Sequence, residues 1–432
     1  MPNLPITAKT NKQGHLEVGG CDVTALAAEF GTPLYVMDEK TIRERCRQYK
    51  TSFKKFYPNT EVVYACKALC TTGVLEIIND EGLGVDVVSG GELLTAVKAG
   101  CNKKKIYFHG NNKSREEIEQ GLKAGVGRFV VDNLEEIKSI DEISQRSGIR
   151  ADVLIRINPG IEAHTHEFIK TGQIDSKFGI GRERVLDAVS MILSAKNMNF
   201  VGLHAHIGSQ IFDVKSFAAE LDVVLDMAKE IAGKRKVPVE EIDIGGGLGV
   251  DYFEKSEAPA IDAFAKAVGT RMEERSKDPD IGEPKLIIEP GRSIVGHAGI
   301  TIYTIGCVKD IPGIRKYVIV DGGMADNPRP ILYQARYDAL LGNKAKLQKT
   351  EKVTIAGRFC ESGDVLVKDA YLQKPEVGDT LVMLCTGAYN YSMASNYNRF
   401  PRPAMVLVAD GSASLIVGRE THEDVLSKDV IG

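Results

Sequence analysis

The chain has 432 residues, 43% of them hydrophobic and 26% charged, with a net charge of −4. That balance suits a folded enzyme and offers no basic surface for nucleic acid or an anionic membrane. No apolar run approaches the roughly 18 residues that a membrane span needs. The opening Met1-Pro2-Asn3-Leu4-Pro5 lacks the regions of a signal peptide, and the eight cysteines form no Cys-x-x-Cys pair. A cytoplasmic protein with reduced thiols and no zinc site is expected.

Residues 1–39 read as turn-rich, with one helix over Asp22–Phe30 stopped by Gly31 and a strand at Thr32–Met37. Apolar runs then recur at Glu61–Cys66, Val85–Val88, Lys105–Phe108, Arg128–Val131, Asp152–Ile157, Val201–Ile207, Glu240–Ile244 and Lys285–Ile288. Helical segments separate them, among them Gly91–Ala99, Ser114–Ala124, Leu134–Ser147, Arg182–Ser194, Val214–Gly233 and Ala260–Arg275. Strands alternating with helices in this way predict an α/β fold, a parallel (β/α)8 TIM-like barrel, with a doubly wound open sheet as the competitor. From about Ser293 the long helices stop. Gly299–Val308, Lys316–Val320, Glu351–Ala356, Asp364–Val367, Thr380–Leu384 and Ala404–Asp410 predict an all-β domain. The lone strand near Leu34 has no barrel partner and is expected to join it. The expected division is a barrel over 40–290 and a β-domain made of 1–39 and 291–432.

Barrel chemistry gathers where strands end. Here those ends carry Lys67, Asp86, His109, Asp132, Asn158, His206, the Gly245-Gly246-Gly247 run and Glu289. A lysine ending a buried strand suits Schiff-base chemistry, because desolvation lowers its pKa; a lysine that snorkels to solvent is the plainer alternative. The backbone N–H groups of Gly246 and Gly247 can approach a phosphate closely. His206 can lie flat on a cofactor ring, with Ser209 on a phosphate. His204 and His206 as a zinc pair give the competing reading of a metal-dependent hydrolase. In Glu289-Pro290-Gly291-Arg292 the acid can keep a heterocyclic nitrogen protonated, and the arginine can hold a phosphate or carboxylate. Cys360 beside Glu361 pairs a proton donor with a cation-binding carboxylate. Arg329 and Tyr333 suit a carboxylate, and Tyr389 lies in a tyrosine-rich loop. A lysine for an imine, glycines for a phosphate, a flat histidine and an acid for a ring nitrogen together specify pyridoxal phosphate.

Tyr64-Ala65-Cys66-Lys67-Ala68, His204 to Gln210, Asp243 to Gly247, Glu289 to Arg292 and Cys360 to Asp364 occur in that order. The set resembles the motifs of the alanine-racemase-fold, pyridoxal-phosphate-dependent decarboxylases, and most closely the diaminopimelate decarboxylases. The resemblance implies that Lys67 carries the cofactor, His206 stacks on its ring and Glu289 contacts the ring nitrogen. It also places Ser209, Gly247, Arg292 and Tyr389 around the phosphate or the substrate. Homodimers with shared active sites are implied, in which Cys360, the proton donor, and Glu361 serve the partner's Lys67. Arg292, Arg329 and Tyr333 would hold the distal carboxylate of meso-2,6-diaminopimelate and Glu361 its distal amine, giving L-lysine. The alternative is a decarboxylase of another basic amino acid or a carboxylated polyamine precursor. Cys66 departs from many relatives, and strand alternation should turn it away from Lys67.

Overall fold

The computed structural model of the protein describes residues 3–160, 176–253 and 257–431. The chain forms two compact units: Arg45–Gly249 with Ala258–Ser293, and Met1–Glu44 with Val250–Glu257 and Ile294–Gly432.

The first unit is a barrel. Its strands are Thr60–Ala65, Gly84–Val87, Ile106–Phe108, Arg128–Val131, Ala151–Arg156, Met198–His204, Glu241–Asp243 and Lys285–Ile288. Each is parallel to the next, and the eighth pairs with the first through Leu286↔Thr60, Ile287↔Glu61 and Ile288↔Val62. That closure excludes the doubly wound sheet. The strands read as continuous apolar runs because both faces are covered. Val63, Tyr107, Val130, Leu154 and Ile287 fill the interior, while Ile118 and Leu122 belong to the buried side of a surrounding helix, Arg115–Ala124. Ser114 caps that helix in a capping box with Glu117, and Gly125 ends it at φ +76°. At the strand starts, Arg128 donates to both oxygens of Glu241 at 2.9 and 2.8 Å, and Lys285 donates to Glu241 at 2.9 Å. These ions tie the fourth, seventh and eighth strands together at the end of the barrel opposite the chemistry.

In the second unit, the main sheet runs Val365–Leu372, Glu351–Ala356, Arg315–Val320, Gly299–Ile311, Leu34–Asp38, Ala404–Ala409, Ser412–Val417. Leu34–Asp38 is antiparallel to Gly299–Ile311 and parallel to Ala404–Ala409, so the early strand does join the late ones. Its residues are buried throughout, which fits a central strand. The helix Glu39–Phe56 was not anticipated, although its buried Ile42, Cys46, Tyr49 and Phe53 recur on one helix face among charged residues. No described helix is long and apolar enough to cross a membrane.

Ile287 is fully buried at the closing seam. Ile287→Ala should lower the unfolding free energy by about 2–5 kcal/mol, read as a fall in the urea midpoint at unchanged slope.

Candidate active site

Seven polar side chains from the strand ends line one cavity of about 370 Å³: Lys67, Asp86, His109, Arg156, His204, His206 and Glu289. That volume falls in the range of small-molecule sites. Lys67 is not on the strand itself. The first strand stops at Ala65, and the lysine sits in a single helical turn, Cys66–Ala68. It is exposed, where a buried ammonium was expected, because the turn lifts it past the strand's covered end. Cys66 beside it is fully buried.

Glu289 is the electrostatic centre. His109 Nε2 lies 2.7 Å from its Oε1 and His204 Nε2 lies 3.4 Å from its Oε2. Burial alone would raise this carboxyl, but the two imidazoles outweigh it and hold it well below the usual carboxylate range. Glu289 Oε1 makes no aligned hydrogen bond within the described residues, so an acceptor remains for a bound group. The acids around it behave in the opposite way. Burial raises Asp86, with His109 opposing, and burial together with Glu289 raises Asp243 well above its ordinary value. Burial also pushes His204 down to about 3 and His206 well below its usual value, so both rings are neutral near pH 7.

The zinc reading paired His204 with His206. The structure instead gathers His204 with His109, Asp243 and Glu289, whose ligand atoms lie within 4.8 Å of one another. His206 lies outside that group, in the loop beyond the sixth strand, which ends at His204. Sequence reasoning noted His109 as a strand end without assigning it a role, and it overlooked Arg156. The signal for Arg156 was a charge at the end of an apolar strand, Ala151–Arg156. Arg156 now stands 4.4 Å over the ring of Phe178.

Beside the cavity residues, the glycine run closes over neighbouring backbone. A Cβ on Gly246 would meet the Glu289 carbonyl at 2.1 Å, and Gly247, at φ +112°, would meet the Gly208 carbonyl at 2.2 Å. Arg292 Nη2 donates to Ser209 Oγ at 3.0 Å, which joins the two expected phosphate contacts. Gly291 packs against Ala65, where an added Cβ would come to 3.0 Å.

In the second unit, Arg329 begins the short helix Arg329–Tyr333 and is buried. Its guanidinium carbon lies 5.5, 5.2 and 5.7 Å from the rings of Tyr252, Tyr333 and Tyr389. Cys360 and Glu361 are both exposed, on the turn between Glu351–Ala356 and Val365–Leu372. Asp364 shapes that turn by accepting from Met324 N at 2.7 Å and Phe359 N at 2.9 Å.

A family profile described as "Pyridoxal-dependent decarboxylase, pyridoxal binding domain" matches residues 39–296. The diaminopimelate decarboxylase of Synechocystis sp. is 46% identical, covering 99% of this chain and 93% of the relative. That of Bacillus subtilis is 44% identical over 98% and 97%. The chain belongs to the diaminopimelate decarboxylase family. A crystal structure of the diaminopimelate decarboxylase from M. jannaschii, solved in complex with L-lysine, shares 38% identity and superposes with a TM-score of 0.93 over 99% of this chain and 98% of that one. The cofactor of this family is pyridoxal phosphate, and the cavity fits it: an amine, a neutral flat imidazole and an ionised acid with an open acceptor converge there.

His204 generates a test of the electrostatics. The native state resists a proton that the unfolded chain takes up near the ordinary histidine pKa of 6.5, so this residue's share of stability is lost as pH falls from about 6.5 towards 3. Thermal melts at pH 7 and pH 5 should therefore show a variant-minus-wild-type difference for His204→Gln that grows more positive at the lower pH.

Proposed function

We propose that this chain acts as a cytoplasmic homodimer, with pyridoxal phosphate in the barrel cavity, and decarboxylates meso-2,6-diaminopimelate to L-lysine and carbon dioxide as the last step of lysine biosynthesis. The observation that carries the substrate is Arg329. Its guanidinium is buried among tyrosines, and among the described residues no carboxylate forms an ion pair with it. A buried cation calls for an anion. Diaminopimelate brings a carboxylate at its far end, where ornithine or lysine brings an amine that Arg329 would repel.

In this reading residues 40–290, with Gly291 and Arg292 just beyond them, bind the cofactor, and 1–39 with the rest of 291–432 form a β-domain that supplies substrate and dimer-interface residues. Lys67 provides the amine to which the cofactor attaches. The ionised Glu289 keeps a proton on the ring nitrogen, since a carboxylate held far below its usual pKa will not take that proton back. His206, neutral through burial, presents an uncharged ring, and Asp86 flanks the lysine. Ser209, Gly246, Gly247, Gly291 and Arg292 hold the phosphate. When bound, the cofactor supplies an electron sink for the pair left behind as carbon dioxide departs. Cys360 Sγ then delivers a proton to that carbon. Arg292, Arg329, Tyr333 and Tyr389 grip the distal carboxylate, and Glu361 takes the distal amine.

The exposure of Cys360 and Glu361 supports the dimer. A proton donor acts best where water is excluded, so another surface must cover it. In the homodimer both residues serve Lys67 of the partner subunit.

Carbon dioxide release should occur from meso-diaminopimelate and not from ornithine or lysine, with lysine as the product. Lys67→Ala should release none and should lose the cofactor adduct that borohydride fixes on the wild-type lysine. Release from ornithine at a comparable rate would reject the substrate. Mixing inactive Lys67→Ala with inactive Cys360→Ala should restore about one quarter of wild-type activity, because half of the random pairs are mixed and each holds one intact site. No recovery after subunit exchange would place both residues in one chain's site.

A further inference from the structure

We infer that Asn398 is a positioning residue for Cys360, acting on the proton delivery through the backbone of the thiol residue. The inference rests on the reading of Cys360 as proton donor.

The turn around Cys360 is tied mostly to itself. Glu361 N donates to the Phe359 carbonyl at 2.8 Å, Asp364 N to the Glu361 carbonyl at 3.0 Å, and Phe359 N to Asp364 Oδ2 at 2.9 Å. Cys360 N instead donates to Asn398 Oδ1, 2.8 Å away on a separate segment of the chain. That segment wraps the residues before the cysteine as well. Phe400 meets Phe359 edge-on at 5.2 Å, Tyr397 lies 6.1 Å from the same ring, and the Arg358 guanidinium stands 4.2 Å over Phe400.

Asn398 presents that oxygen from left-handed backbone, at φ +52°, and Arg399 follows at φ +62°. Both residues are exposed, as is Cys360. Asparagine enters left-handed backbone more readily than most residues, whereas Arg399 meets a conformational penalty there, and a hydrogen bond in water adds little to folding. Arg399 is anchored by its ion pair with Asp429 and by its N–H, which donates to the Asn396 carbonyl at 2.7 Å, so the segment presents Asn398 Oδ1 from a fixed place. Protonation of a carbon needs its donor on one face at close range, and a small misplacement lowers the rate steeply.

The test compares Asn398→Gly, which keeps the left-handed backbone accessible and removes the acceptor, with Asn398→Asp, which keeps an acceptor oxygen. Holoenzyme is assayed with meso-diaminopimelate in D2O, and the deuterated lysine is analysed for configuration at the new C–D bond. For Asn398→Gly the expectation is a kcat about tenfold lower, the order that one lost hydrogen bond allows, with KM and melting temperature unchanged. Its lysine should be a mixture of C–D epimers. Asn398→Asp should restore a single epimer. A merely structural turn would shift the melting temperature and leave the configuration pure. A single epimer and normal kcat in Asn398→Gly, with Cys360→Ala impaired in both, would overturn this inference alone. Normal kcat and a single epimer in Cys360→Ala would overturn the donor reading, and the role of Asn398 with it.

Discussion

The barrel depends on one ladder, the parallel pairing of Lys285–Ile288 with Thr60–Ala65. The two strands lie at opposite ends of the unit's sequence, and joining them removes both free edges of the sheet. The same seam brings the chemistry together. Ala65 N donates to the Pro290 carbonyl at 3.2 Å and Glu289 N to the Gly245 carbonyl at 2.7 Å, so the lysine turn, the acid and the glycine run are held by backbone. Gly291 is small because Ala65 leaves no room for a side chain. Sites carried on rigid strand ends keep their geometry better than sites on free loops.

That frame sets a pattern of charge. Of the acids clustered at the strand ends, Glu289 is held ionised by two imidazoles, while burial raises Asp86 and Asp243. A carboxylate held ionised at that place can keep a proton on a bound ring nitrogen. The histidines divide the work: His109 and His204 serve the carboxylate, and His206 remains a neutral ring in the cavity.

In the β unit the comparable feature is a fixed positive charge. Arg329 is enclosed by tyrosine rings, whose π faces partly replace water around the guanidinium and leave its ionic valence open. The selectivity proposed for the chain follows from that choice, since an arginine discriminates a carboxylate from an ammonium by sign before any detail of shape.

Much of this was legible from residue order. Arg128–Val131 and Lys285–Ile288 are strands over the expected residues, and Leu134–Ser147 and Arg182–Ser194 are helices over theirs. Apolar periodicity and caps are local properties, and burial on both faces demands continuous apolar runs. The helix Glu39–Phe56 was missed although Ile42, Cys46, Tyr49 and Phe53 recur at the spacing of one helix face. The types of chemistry, an amine, a phosphate loop, a flat ring and an acid, could be read from strand ends once a barrel was assumed. Tertiary structure alone decided that Leu34–Asp38 runs parallel to Ala404–Ala409, that Lys67 stands on a turn past its strand, and that His109 and His204 come beside Glu289. Those outcomes depend on neighbours contributed by distant segments. A group's charge state is set by burial and by the charges that packing brings beside it, and neither is a property of the order of residues.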